Sequence, residues 1–185
     1  AFALHMGDAA ESWRTLRDKR GAPDCLLGNL PYSTASRILG SIIEGGLAVS
    51  RMVITVQKEA AQRITARQGD AQYGGFSVLC GARFESSVVC DVSPQAFYPR
   101  PRVHSQTVLM QARPQGFVPA ELLPDFAAFL RTSFAQPRKT LANNLGVAYE
   151  RSQIEAACAS IDVRPAARPA DLSVEEFATL YRDLS

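Results

Sequence analysis

The stretch that decides the fold is DCLLGNLPYSTASRILGSIIEGG, residues 24–46. Its apolar start, bounded by turn-forming residues, predicts a buried strand that ends at Asn29. Ser33 or Thr34 can cap a helix predicted over 35–44, which two glycines end. The tetrapeptide Asn29-Leu30-Pro31-Tyr32 therefore joins a strand to a helix.

Outward from this stretch, the sequence repeats the alternation of strand and helix and then changes. A β-branched run over 51–57 is followed by helical spacing over 58–66, and strand, helix, strand and helix in this order predict a parallel sheet. A short helix over 76–82 precedes strands over 84–92 and 105–112. These two strands flank a Pro-rich segment without room for a helix, so they are predicted to be antiparallel. The prediction is the back half of an α/β sheet with an antiparallel edge.

The last third of the chain has helical periodicity only. Two prolines and a glycine mark a linker over 113–119, and apolar residues then recur at intervals of three and four. We therefore expect an α/β part in residues 1–112 and a small all-helical domain in residues 120–185.

Composition excludes several classes of protein. With 46% hydrophobic and 21% charged residues, the chain is neither disordered nor fibrous. It has no apolar run long enough to cross a bilayer and no signal peptide at its start, so we expect a cytoplasmic protein without membrane contact. The four cysteines are scattered and there are only two histidines, which disfavours a metal site. A net charge of +2 neither demands nor excludes a nucleic-acid partner.

The tetrapeptide suits methyl transfer to an exocyclic amine, because it can present two hydrogen-bond acceptors beside an aromatic ring. The lone pair of adenine N6 is delocalised into the ring until its N–H bonds are held by acceptors. Asn29 Oδ1 and the Leu30 carbonyl could be those acceptors, on a turn that Pro31 makes rigid. Tyr32 offers a face on which an extruded base could stack. The alternative is that the same residues form an ordinary turn with Tyr32 against the core.

The chain resembles a family at this tetrapeptide and at four further segments. The family is that of the adenine N6,N6-dimethyltransferases of small-subunit ribosomal RNA, whose relatives include the erythromycin-resistance methylases. The resemblance implies a Rossmann-like class I methyltransferase sheet followed by a helical RNA-binding part. The helical signature favours the ribosomal RNA branch. The further segments are VQKEAAQR (56–63), YGGFSV (73–78), FYPRPRV (97–103) and RKTLANNL (138–145).

The resemblance also implies roles for individual residues. Asn29, Leu30, Pro31 and Tyr32 would hold the target amine, with Tyr32 and Phe97 stacking on the two faces of the base. The cofactor S-adenosylmethionine would contact Asp8, Ala9 and Asn29. Contacts to RNA phosphate or ribose are implied for Arg100, Arg102, Arg138 and Lys139.

Each of these implied roles has a structural alternative. Asp8 can instead be the N-cap of a helix that starts at Ala9, and each basic residue can belong to a solvated charged face. His104 and Pro137 depart from the family pattern, which questions the hydrogen bonding of the Pro-rich loop and removes one expected RNA contact.

The chain lacks the glycine-rich turn that this class uses to approach its cofactor. It starts where the family would be at its third strand, so we expect the front half of the sheet to be missing. Either the chain is a fragment of a longer methyltransferase, which we favour, or it is a naturally short protein that keeps RNA binding alone. The leading hypothesis is dimethylation of adenine N6 by a monomer acting on a pre-ribosomal small-subunit particle. The other is a non-catalytic RNA-binding or ribosome-assembly module.

Overall fold

A computed structural model of the chain describes residues 4–164 and 166–185. The α/β part contains α1 (Ala9–Arg20), β1 (Cys25–Asn29), α2 (Ala35–Glu44), β2 (Arg51–Gln57), α3 (Lys58–Thr65), α4 (Gly75–Arg83), β3 (Phe84–Val92) and β4 (Ser105–Ala112). The remainder contains α5 (Leu123–Ser133), α6 (Leu141–Leu145), α7 (Arg151–Ser160) and α8 (Val174–Leu184). Single 3-10 turns lie at Pro94–Ala96, Ala120–Leu122 and Pro169–Asp171.

The four strands form one mixed sheet in the order β1-β2-β4-β3. Strands β1 and β2 are parallel, with Asn29 opposite Thr55, whereas β4 is antiparallel to both β2 and β3. These directions confirm the prediction of a parallel pair with an antiparallel edge. Because β1 and β2 point the same way, the turn after Asn29 and the start of α3 lie at the same end of the sheet.

The two faces of the sheet differ in burial. Met52, Ile54 and Val56 of β2 are fully buried, as are Val108 and Met110 beside them on β4. The opposite face keeps solvent contact, and Leu27 of β1 is 77% exposed on it. The prediction that β1 is buried is therefore wrong. Three of its five residues are exposed and two are half-buried, because it lies at the edge of the four-stranded sheet with one face open to solvent.

Strand β3 contains a bulge. Val88 pairs with Val108 and Cys90 pairs with Thr107, so Val89 has no partner on β4. Beyond the bulge the ladder resumes and ends at Val92, opposite Ser105. The Pro-rich segment thus starts and ends at one pair of bonded residues.

The ends of the helices depart from the prediction in one respect. Helix α2 has the predicted bounds and ends at Gly45-Gly46, but Thr34 makes no side-chain capping bond. Its hydroxyl instead donates to the Pro31 carbonyl at 3.4 Å. Tight approach of the Trp13 ring explains the first glycine, since a Cβ on Gly45 would lie 2.4 Å from that ring.

Helices α5–α8 share a continuous apolar core with the α/β part. The hydroxyl of Tyr73, two residues before α4, donates to the carbonyl of Leu172, which precedes α8, at 2.9 Å. A Cβ on Gly75 would lie 3.3 Å from the Phe134 ring that follows α5. A separate all-helical domain is not evident from this packing, and the boundaries at 1–112, 113–119 and 120–185 stay predictions. No helix in residues 4–164 and 166–185 is both long and apolar enough to span a membrane.

Candidate functional site

A cavity of about 260 Å³ lies between the end of β1 and the Pro-rich loop. The tetrapeptide that follows β1 forms one wall, and the loop residues that start at Phe97 form the other. Residues 65 to 72 positions apart in sequence, from Tyr32 with Phe97 (97 − 32) to Asn29 with Pro101 (101 − 29), thus lie around one cavity, because β1 and the β3–β4 hairpin end at the same edge of the sheet. The lining residues are Asn29, Leu30, Pro31, Tyr32, Phe97, Tyr98, Pro99 and Pro101.

The backbone of the tetrapeptide is anchored on one side and open on the other. The Leu30 N–H donates to the Thr55 carbonyl at 3.1 Å, and the Pro31 carbonyl accepts from the Thr34 N–H at 3.1 Å. In the described part of the chain, no hydrogen bond engages the Asn29 side chain or the Leu30 carbonyl. Two acceptors are therefore available at the cavity wall to bind a ligand that carries N–H groups.

The aromatic residues at the cavity are held differently. Tyr32 is half-buried and its hydroxyl lies 2.6 Å from Ser105 Oγ, which is fully buried at the start of β4. Phe97 is half-buried, and its N–H donates to the Pro94 carbonyl at 3.3 Å. The Tyr98 side chain is wholly exposed beside it. Sequence reasoning missed Ser105 and Tyr98, although Tyr98 lies within the FYPRPRV segment and Ser105 is the second residue after it.

Asp8 caps α1, as the structural alternative predicts. Its Oδ1 accepts from the Ala10 N–H at 2.9 Å, while Oδ2 accepts from Arg37 Nη2 of α2 at 2.7 Å. The hydrogen bond from Arg37, together with that from Ala10, lowers the pKa of the Asp8 carboxyl. Ala9 is the first residue of α1, and neither it nor Asp8 lines the cavity at Asn29. Their predicted contact with a cofactor stays a prediction.

The basic residues that the sequence singles out lie in two places. Arg100 and Arg102 are exposed in the loop whose other residues line the cavity. Arg138 and Lys139 are exposed between α5 and α6 and do not line it. The backbone there is fixed by Asn144, which is 4% exposed and bonds both the N–H and the carbonyl of Gln136.

The two other family-like segments have structural contacts. The Lys58 N–H donates to the His104 carbonyl at 3.0 Å, so the loop makes its closing bond although His104 departs from the family pattern. Arg63 pairs with Glu59 one turn earlier on α3. Burial raises the pKa of the Tyr73 hydroxyl, in line with its buried bond to Leu172. Residues 56–63 and 73–78 thus join elements of the fold.

The described residues contain no group of His, Cys, Asp and Glu that could hold a metal ion. The available chemistry is that of two neutral acceptors and three aromatic side chains, Tyr32, Phe97 and Tyr98, around the cavity. This cavity is a slot between the tetrapeptide and the Pro-rich loop. An α/β sheet of this order with such a slot at the end of a parallel strand defines a methyltransferase-like fold.

The chain belongs to the ribosomal RNA adenine dimethylase family, whose family model matches residues 6–185. A protein called Ribosomal RNA small subunit methyltransferase A from Treponema pallidum (strain Nichols) is 38% identical over 181 residues, covering 94% of this chain and 62% of that protein. The protein of the same name from Syntrophotalea carbinolica is 36% identical over 183 residues, covering 97% and 68%. The chain thus spans about two thirds of the length of these two relatives.

Two solved structures share the fold. A dimethyladenosine transferase from Plasmodium falciparum has a TM-score of 0.73 at 22% identity, covering 85% of this chain and 65% of that one. The 23S rRNA methyltransferase ErmE has a TM-score of 0.63 at 21% identity, covering 92% and 77%. Both likenesses cover most of this chain and show the fold.

Proposed function

We propose that this chain forms the base-binding part of an S-adenosylmethionine-dependent enzyme that dimethylates adenine N6 in small-subunit ribosomal RNA. The observation that carries the proposal is the cavity across which the free acceptors of Asn29 and Leu30 face Phe97 of the Pro-rich loop. The names of the relatives support the reaction and the RNA, and they do not favour a non-catalytic module.

The acceptors would act on the hydrogen atoms of the target amine. Asn29 Oδ1 accepts one N6–H and the Leu30 carbonyl accepts the other, which draws the lone pair of N6 out of the ring. The Thr55 carbonyl holds the Leu30 N–H, so the carbonyl of Leu30 is presented in a fixed direction. Preorganised dipoles of this kind stabilise charge that develops on the reacting nitrogen.

The aromatic rings would hold the base out of its stack. Tyr32 lies on the wall formed by the tetrapeptide and Phe97 on the loop wall, so a flat base between them would be in contact on both faces. Stacking of this kind contributes ~1 to 3 kcal/mol per base. The slot accepts any flat base, and the paired acceptors select one with an exocyclic amine.

The cofactor would supply an electrophilic methyl group when bound. Asn29 ends β1 with its side chain exposed, so its amide can donate to or accept from a ligand. The exposed carboxylate of Asp8, at the N-cap of α1, can only accept. The described residues fit the binding of the target base better than the binding of the cofactor. We therefore assign Asp8, Ala9 and Asn29 to the cofactor only as contacts to be tested.

The RNA contacts would set affinity and register. Arg100 and Arg102 would bind phosphates next to the flipped base, and Arg138 and Lys139 would bind a more distant part of the RNA. We infer a pre-ribosomal small-subunit particle as the natural partner, a monomeric enzyme and, because such particles assemble there, a cytoplasmic location.

The test compares Asn29→Ala with Asn143→Ala in the complete natural protein. Asn143 is also an exposed Asn, on α6, and it does not line the cavity. We expect Asn29→Ala to lower the methyl-transfer rate by about 10² to 10³ fold, the usual effect of losing one preorganised hydrogen bond. Binding of small-subunit ribosomal RNA should stay within twofold, and Asn143→Ala should transfer methyl groups normally.

Two results would contradict the proposal. Wild-type turnover by Asn29→Ala would remove the assigned role of the tetrapeptide. A wild-type protein that binds ribosomal RNA with steep salt dependence but transfers no methyl group would support the non-catalytic module instead.

A further inference from the structure

The hydroxyl of Ser105 contacts the base slot through another side chain. Ser105 is fully buried at the first position of β4, and its Oγ lies 2.6 Å from the Tyr32 hydroxyl. The two residues are 73 positions apart. This hydrogen bond joins the Tyr32 hydroxyl directly to the sheet.

The position of Ser105 in the sheet links it to the other ring of the slot. Ser105 pairs with Gln57 of β2 and with Val92 of β3, so it lies between two strands at the base of the hairpin. The loop that carries Phe97 leaves the sheet after Val92 and returns at Ser105. The residue that closes this loop is thus the residue that holds Tyr32.

On the opposite wall, the ring of Phe97 carries no polar group that could form such a bond. Phe97 is placed by the 3-10 turn at Pro94–Ala96 and by its backbone bond to Pro94. The spacing of the two rings therefore depends on how the Tyr32 turn is joined to the start of β4. The bond between Tyr32 and Ser105 makes that join.

We propose that Ser105 is a positioning residue that sets the separation of Tyr32 and Phe97 and so the width of the base slot. This inference rests on the proposed function. A slot held at one width keeps the base at a fixed height relative to Asn29 Oδ1 and the Leu30 carbonyl. A displacement of about 1 Å at such a site can cost about a hundredfold in rate.

The experiment is a double-mutant cycle with Tyr32→Phe, Ser105→Ala and the double variant in the complete natural protein. Tyr32→Phe keeps the stacking ring and removes only the hydroxyl, and it remains informative if Ser105→Ala fails to fold. The matched control is Thr107→Val, which removes a second cross-strand hydroxyl pair, Thr55 with Thr107 at 3.1 Å, two residues further along β4. The measurements are kcat and KM for small-subunit ribosomal RNA with labelled S-adenosylmethionine, and the Tm of each variant.

The expected result is a kcat about tenfold lower in each single variant with KM nearly unchanged, because the phosphate contacts are untouched. The double variant should be no slower than either single variant, since both remove the same bond. Thr107→Val should keep the wild-type kcat. A purely structural role would instead lower the Tm and leave kcat unchanged.

The outcomes separate the inference from the proposed function. In the first case, the wild type methylates adenine and both single variants keep the wild-type kcat. In the second, the two substitutions lower kcat and their effects multiply in the double variant. Either result would show that the role assigned to Ser105 is wrong and would leave the proposed function in place. If the wild type transfers no methyl group to the RNA, the proposed function fails and the assigned role of Ser105 fails with it.

Discussion

At the scale of single residues, the carboxylate of Asp8 makes structural hydrogen bonds and is also the group predicted to contact the cofactor. One carboxylate oxygen caps α1 and the other binds Arg37 of α2, which starts shortly after the tetrapeptide. Any ligand that uses Asp8 would therefore compete with Arg37. The pair is exposed, so its contribution to stability is small.

Replacing Arg37 should change the titration of Asp8. The Arg37→Gln variant removes the first cause of the low pKa, so the pKa of Asp8 should rise towards its ordinary value. A carboxyl with a lowered pKa in the folded state stabilises the fold above its unfolded pKa, and this effect is lost as the pH falls through the folded pKa. Arg37→Gln should therefore reduce the acid dependence of stability.

The measurement is an NMR pH titration of the Asp8 side-chain carboxyl carbon. The control is Arg17→Gln, which removes the partner of Asp18 on the same helix and should leave the Asp8 curve in place. An unchanged Asp8 titration in Arg37→Gln would show that the cap alone lowers its pKa.

At the scale of elements, the segment between α5 and α6 owes its shape to one buried amide. Asn144 accepts from the Gln136 N–H at 2.9 Å and donates to the carbonyls of Gln136 and Thr140 at 3.1 and 3.2 Å. These bonds form the turn on which Arg138 and Lys139 are exposed. In the RKTLANNL segment, Asn144 is thus structural, whereas Asn143 is exposed.

The variant Asn144→Ala should be destabilised by ~1 to 3 kcal/mol, because it leaves part-buried backbone groups of Gln136 without partners. Its neighbour Asn143→Ala provides the control and should stay within about 0.5 kcal/mol of wild type, as exposed substitutions usually do. Urea unfolding measures both values. Equal effects would mean that the turn does not depend on the Asn144 amide.

The elements themselves were largely predictable from the sequence, and their contacts were not. The strands at 84–92 and 105–112 have the predicted bounds, because the β-branched residues within them and the Pro-rich segment between them are local features of the sequence. The bond from Tyr32 to Ser105 joins residues that no local pattern relates. The helix at Ala9–Arg20 was predicted only as the alternative role of Asp8, since its apolar face is narrow, with Ala10 and Trp13 as its buried residues.

At the scale of the whole molecule, the core crosses the predicted domain boundary. Buried residues run without interruption from Trp13 in α1 to Phe177 in α8. The chain contains a single tryptophan, which lies in the α/β part. Trp13 fluorescence therefore reports on one part, and circular dichroism at 222 nm reports on helices in both.

If the core is one cooperative unit, the two signals should give the same unfolding midpoint. Phe177→Ala, at a fully buried position, should lower the free energy of unfolding by ~3 to 5 kcal/mol. Both midpoints should then fall together. A second transition seen by circular dichroism alone would show that residues 120–185 unfold as a separate domain. Equilibrium urea titration with both probes decides between these results.

The net charge of the chain is only +2, but the Pro-rich loop beside the slot carries two positive charges, Arg100 and Arg102. If Arg100 and Arg102 both bind phosphates, replacing the two by alanine should reduce the magnitude of the slope of log Kobs against log salt by up to ~1.4 for a single-stranded RNA. Fluorescence anisotropy with an adenine-rich oligoribonucleotide measures this slope. Arg151→Ala, which breaks only the pair with Glu155 on α7, should leave it unchanged. An unchanged slope in the loop variant would remove the phosphate contacts from the proposal.

The bulge at Val89 has a consequence for how this protein tolerates deletions. Val89 is the extra residue, so its loss would join Val88 to Cys90 and leave every pair between β3 and β4 in its present register. Asp91 would keep the bond that the Gln106 amide donates at 2.9 Å, and the Pro-rich loop would still leave the sheet opposite Ser105. An in-frame loss of the Val89 codon should therefore be far less harmful than the loss of the paired Gln106, which would move Ser105 by one position along both neighbouring strands.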